Sequence, residues 1–201
     1  MKIIAPILLL FTSILMASGQ DLDSEAPGKK SWLIPDHMKV QFAGNIGFLS
    51  VGAGYLHGND KLETDLYAGF LPKSIGGDHI ISLTTKMTYS PWKFAINEEY
   101  TVIPFSIGPY LSYSFGSQFD TLLPNEYPKG YYWWATSLRF GAFVGGRVQM
   151  DLGAQQRVKS FDFYYELGTY DLEFLSYMQN QKSLQISDIF SLALGVKLRL
   201  H

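Results

Sequence analysis

Between residue 38 and the C-terminus the sequence alternates two unlike faces with a period of two, the spacing that sends successive side chains to opposite sides of a β-strand. At the C-terminal end Phe190, Leu192, Leu194, Val196, Leu198 and Leu200 share one face, and Ser191, Ala193, Gly195, Lys197 and Arg199 the other. Upstream, Phe161, Phe163, Tyr165 and Leu167 oppose Ser160, Asp162, Tyr164 and Glu166. Leu138, Phe140, Ala142, Val144 and Val148 oppose Arg139, Gly141, Gly145 and Arg147. The same split divides Phe105, Ile107, Leu111 and Phe115 from Ser106, Gly108 and Ser112, Leu83 and Met87 from Thr84 and Lys86, and Leu62 and Leu66 from Glu63 and Asp65. Residues 38 to 57 are too many for one strand, and their phase slips: Val40, Phe42, Ile46 and Phe48 are apolar at even positions, Leu49, Val51, Ala53 and Tyr55 at odd ones. A one-residue slip turns every side chain to the other face, so it marks a tight turn near Gly47. Eight strands follow, at about 38–47, 48–57, 61–71, 79–90, 103–115, 133–150, 158–168 and 186–200.

Charge decides what each face meets. Ten charged residues fall on the polar face (Lys39, Glu63, Asp65, Lys86, Arg139, Arg147, Asp162, Glu166, Lys197 and Arg199), while the apolar positions named above carry none. A charge at mid-bilayer costs a barrel roughly 2–4 kcal/mol, so this one-sidedness predicts a lipid-facing surface. Charged residues are only 17% of the chain, against about 25% in an ordinary soluble domain. Aromatics gather where strands end (Tyr55, Phe70, Tyr89 with Trp92, Phe115, Trp133 with Trp134), as interfacial girdles do. The expected fold is all-β: a closed antiparallel eight-stranded transmembrane β-barrel whose glycine- and serine-rich face fills a narrow interior. A soluble barrel with charges outside has the same periodicity and remains the rival.

The N-terminus reads as a targeting segment. Lys2 precedes a short apolar run to Met16, and Ala17-Ser18-Gly19 offers small residues for cleavage before Gln20. Residues 1–19 are therefore expected to be a signal peptide, 20–36 a flexible polar leader, and 37–201 an outer-membrane barrel. The apolar run of about 14 residues is shorter than the roughly 20 a spanning helix needs. Absence of cysteine excludes disulfides, a thiol nucleophile, Cys-ligated zinc and a lipidated Cys. A net charge of −2 without a basic run gives nucleic acid no footing.

The closing Gly195-x-x-Leu198-x-Leu200 resembles the terminal signal read by the outer-membrane assembly machinery, which implies that machinery as a partner of the last strand. The whole mature chain resembles the small eight-stranded outer-membrane barrels of the OmpA and OmpX kind. The segments Pro128-Lys129-Gly130-Tyr131-Tyr132-Trp133-Trp134 and Phe163-Tyr164-Tyr165-Glu166-Leu167-Gly168 are similar to those of an uncharacterised group of small barrels, a resemblance that implies no activity.

With both termini periplasmic, the turn near Gly47 and the connections 72–78, 116–132 and 169–185 face outward. Residues 92–96 of the long inner connection 91–102 read as a short amphipathic element. An eight-stranded barrel is just wide enough to be filled by side chains, so the ten charges are expected to pair as a lumen network, Glu166 with Arg139 among them. In the loop 116–132 and its flank, Asp120, Tyr127, Lys129, Tyr131, Tyr132, Trp133 and Trp134 are the candidates for contact with an external ligand. No catalytic residues are assigned: His37, His57 and His201 lie away from the outer end, and Ser82 is three residues from His79, on the opposite face. No metal-ligand spacing and no cofactor fingerprint occur. The expected function is a non-enzymatic outer-membrane barrel with outer-membrane lipid around it and a structural or surface-interaction role. A lipid A acyltransferase or deacylase, assembled from Glu166, Asp171, Tyr164 and a loop serine, is the alternative.

Overall fold

The computed structural model of the chain describes residues 34–116, 137–153, 158–181 and 185–200. Among the described residues there are nine strands: β1 His37–Ala43, β2 Leu49–His57, β3 Leu62–Leu71, β4 Ile80–Tyr89, β5 Phe94–Ala95, β6 Tyr100–Phe115, β7 Leu138–Asp151, β8 Ser160–Tyr170 and β9 Ser191–Arg199. Every pairing is antiparallel. The ladder runs β4-β3-β2-β1-β9-β8-β7-β6, and β4 pairs with β6 to close it. Eight long strands therefore form a barrel without a free edge, the arrangement in which each backbone donor finds an acceptor in a neighbouring strand. The two-residue β5 pairs with Val102 and Thr101 and only prolongs β6. The amphipathic element expected at 92–96 is thus a hairpin arm, with Trp92 against Phe105 at 5.8 Å.

The alternation seen in the sequence sorts side chains between lumen and exterior. Most inward positions are polar or small and most outward ones apolar, and the two phases hold around the ring. Two devices keep the phase. In β6 the register against β7 shifts between Ile103 and Ser106, placing one extra residue on β6. Ile103 and Ser106 therefore both face inward despite opposite parity, and Pro104, which has no N–H to give the ladder, lies at the irregularity. At the first connection β1 ends at Ala43, not near residue 47: Ala43 (φ 59°) and Gly44 (φ 79°) take left-handed conformations that stop the strand. Ile46, expected to point outward, is folded into the barrel mouth and is buried.

Other boundaries shift for local reasons. Residues 186–190, expected in the last strand, begin as a 3₁₀ turn, Ile186–Ile189. The connection after β8 holds α2, Asp171–Gln179, and that after β3 a single turn, α1, Lys73–Gly76. Glu173 starts α2 by accepting a hydrogen bond from the Tyr170 backbone N–H (3.1 Å), and Asp171 adds a second acid to the first turn, where the exposed helix N–H groups favour negative charge. Residues 133–136 of the expected sixth strand, with the signal peptide and most of the leader, lie outside the described residues.

Inward aromatics are accommodated by glycines directly across the ladder. Tyr67 opposes Gly52, Tyr110 and Phe143 oppose Gly141 and Gly108, and Tyr164 opposes Gly195. A Cβ on Gly52 would stand 2.7 Å from the Tyr67 ring, closer than packed carbon atoms approach. A Cβ on Gly195 would meet the Tyr164 ring in the same way. Gly195→Val is expected to lower stability by about 1–3 kcal/mol, the cost of overpacking a filled interior. Urea unfolding of the folded barrel measures it, and an unchanged midpoint would mean that Tyr164 does not need the space.

Candidate functional site

The lumen is built on Glu63, from the inward phase of β3. Its carboxylate receives three cations from three other strands: Lys39 Nζ of β1 at 2.8 Å on Oε2, Lys197 Nζ of β9 at 2.7 Å on Oε1, and the Arg147 guanidinium of β7 on Oε1. Lys39 also reaches Asp65 Oδ2 at 2.7 Å, and His37 Nε2 lies 2.5 Å from Asp65 Oδ1. Arg147 Nε stands 3.6 Å from Asp162 Oδ2, which accepts from Ser160 Oγ through its other oxygen at 3.0 Å. Farther along the axis Lys86 pairs with Glu166 and places its ammonium 4.1 Å from the centre of the Phe143 ring. Lys39, Lys86, Arg147 and Lys197 thus balance Glu63, Asp65, Asp162 and Glu166, all of them buried. In a low-dielectric interior such neutrality is what makes ionised groups tolerable.

Around the ions runs a layer of neutral hydrogen bonds. Thr84 Oγ1 donates to Ser112 Oγ at 2.8 Å, Tyr164 OH donates to Gln41 Oε1 at 3.4 Å, and the Ser90 and Ser106 hydroxyls meet at 2.8 Å. Above them Ile46, Tyr67, Tyr110 and Phe143 form an apolar plug. Ser82 Oγ holds Ile46 in place by donating to its carbonyl at 2.5 Å. Two voids left within the lumen measure about 20 and about 10 Å³, room for about one water each.

Of the ten charges placed on the polar face by parity, eight meet in this network. The other two stand at opposite mouths. Arg199 Nη2 pairs with Asp60 Oδ2 at 2.8 Å, in the β2–β3 turn, where Lys93 approaches the same carboxylate oxygen at 3.9 Å. Partial burial lowers the Lys93 ammonium from its ordinary value and the Asp60 charge opposes that shift. Arg139 is half-buried at the other mouth, and its Nη1 donates to the Leu138 carbonyl at 3.5 Å. It does not pair with Glu166, whose partner is Lys86. Parity assigns a face, but the stagger of the strands decides which residues on that face meet.

His37 belongs to the site although its place before the first expected strand hid it. It opens β1 in the inward phase of Lys39 and Gln41, and that shared parity was the available signal. His37, Glu63 and Asp65 bring potential ligand atoms within 4.8 Å of one another. The donor set nevertheless fits a metal poorly, because three of the four carboxylate oxygens are already held by Lys39, Lys197 or Arg147. Of the residues weighed for catalysis, His79 is exposed and stacks on Phe70 at 5.7 Å, whereas Ser82 is buried and bound to Ile46. Glu166 and Tyr164 are tied into the lumen, and Asp171 opens α2. Asp120, Tyr127, Lys129, Tyr131, Tyr132, Trp133 and Trp134 lie outside the described residues.

Closure of the ladder and neutrality of the lumen define the class of the molecule: a small all-antiparallel eight-stranded β-barrel with a buried, charge-balanced network inside. No protein-family model, no curated protein and no solved structure matches the chain.

Proposed function

We propose that the chain is an integral outer-membrane β-barrel, exported through residues 1–19 and assembled through β9, whose role is structural or surface-interacting rather than catalytic. One observation carries this reading. The barrel is inside out by the standards of a protein in water: Leu66 is 52% exposed, Leu194 52% and Phe163 63%, while Glu63 is 0% exposed and Lys86 2%. A soluble barrel gains stability by burying the first set and hydrating the second. Hydrocarbon around the wall makes the observed arrangement the favourable one, because the outward band then stays out of water and the charges neutralise one another.

The reading is tested by fractionating cells that produce the full chain and by mass spectrometry of their lipid A. The protein is expected with the outer membrane, its N-terminus at or near Gln20. Retention of residues 1–19 in the purified membrane protein would count against the export segment. Lipid A is expected to be the same with and without the protein. Glu166→Gln should lower stability by about 1.5–3 kcal/mol, the range for a hydrogen bond to a charged group, since Lys86 keeps the Phe143 ring as a partner. An acyl pattern that depends on the protein and changes with Glu166→Gln at full stability would make it a lipid-modifying enzyme instead.

A further inference from the structure

The end of the barrel that carries the β1–β2 and β3–β4 connections holds a cavity of about 400 Å³, within the range of small-molecule sites. Its floor is the 44–47 turn, with Ile46 standing on the apolar plug, so the cavity is separated from the ion pairs below. Phe48, Leu71, Ile75 and Ile80 form an apolar wall. Polar groups also line it: Arg139, the Ser114 hydroxyl, and three groups committed elsewhere, namely Ser82 (to the Ile46 carbonyl), Tyr170 (to the Asn45 carbonyl) and the Asn45 amide (to Glu173 at 3.3 Å).

Arg139 is the odd member of this set. Each basic side chain in the lumen below has a carboxylate partner, whereas among the described residues Arg139 has none. A guanidinium is permanently charged and presents a planar fork of donors suited to an acidic head group. Set beside four aliphatic or aromatic side chains, it offers one cationic contact and an apolar channel. That is the complement of a molecule with one acidic head and one hydrocarbon chain.

We propose that this outer cavity binds a negatively charged single-chain amphiphile, its head held by Arg139 and its chain lying along Phe48, Leu71, Ile75 and Ile80. The proposal rests on the membrane reading for the orientation of this mouth and for the bilayer in which it is tested, while the lining is given by the barrel itself. The two readings fail separately: the fractionation above addresses the membrane, and binding addresses the cavity.

The experiment uses the full mature chain in nanodiscs of zwitterionic phosphatidylcholine, with carboxyl-labelled dodecanoate as the probe and empty nanodiscs subtracted. Saturable binding of one dodecanoate per chain is expected. Arg139→Gln should weaken it at least tenfold, and Ser114→Phe, which fills the cavity without touching the charge, should abolish it. Dodecanol should bind at least tenfold more weakly than dodecanoate, and dodecyltrimethylammonium should not compete. Nanodiscs doped with a small fraction of anionic, single-chain lysophosphatidylglycerol separate the sources of the ligand. Loss of dodecanoate binding there would show that a bilayer lipid supplies the acidic head, and unchanged binding that a free fatty acid does. Binding that is not saturable, or that survives both Arg139→Gln and Ser114→Phe, would overturn the assignment. Equal binding of dodecanol would overturn the role of Arg139.

Discussion

Glu63→Gln is expected to cost the barrel about 3–5 kcal/mol, the usual penalty for removing one partner from a buried ion pair, and to sit at the top of that range. The reason is local arithmetic. Glu63 is fully buried and faces Lys39, Lys197 and Arg147 together, so the neutral amide leaves three cations with Asp65 and Asp162 alone. A second substitution, Lys197→Met, restores the balance and should recover part of the loss, because the residues share one network and their effects do not add. Urea titration of the refolded barrel, monitored by its resistance to unfolding on a gel, measures both. Identical midpoints for the parent and Glu63→Gln would mean that the lumen does not depend on this carboxylate.

Arg at Leu111 or Leu194 is expected to destabilise the protein by about 2–4 kcal/mol in lipid. Both side chains point outward and are roughly half exposed, and Leu111 pairs with Thr85 midway along β4. The same change on a wall facing water should stay within about 0.5 kcal/mol, as surface substitutions usually do. The size of the effect therefore discriminates between surroundings. If Leu111→Arg and Leu194→Arg both unfold with parent midpoints in phosphatidylcholine vesicles, the wall does not face hydrocarbon.

How far the sequence reaches can be followed residue by residue. Strand number, closure and the facing of residues such as Leu194 and Lys197 were legible, because a period of two leaves only one phase choice per strand. Phe143 escaped that reading: it is apolar yet points inward, and only the glycines opposite it in β6 and β8 show why it fits. Ile46 was placed on the wrong side because the left-handed conformations at Ala43 and Gly44 leave no trace in hydropathy. The Lys86–Glu166 pair was missed for Arg139–Glu166 because partners across a lumen depend on strand stagger, a property of closure and not of any single strand.

The Glu63 cluster has a consequence for how the barrel comes apart. Its contacts join residues 24, 84 and 134 positions apart in the chain, on β1, β7 and β9. Contacts of that separation form only after the intervening strands have been brought round, when most of the loop-closure entropy has already been lost. The two longest, to Arg147 and Lys197, are therefore expected to form late and to break early when a strand leaves. Interactions absent from the folding transition state act on the unfolding rate and hardly on the folding rate. Neutralising Glu63 should therefore shorten the lifetime of the assembled barrel while leaving its rate of formation nearly unchanged, which makes the ion cluster a latch on residence in the folded state.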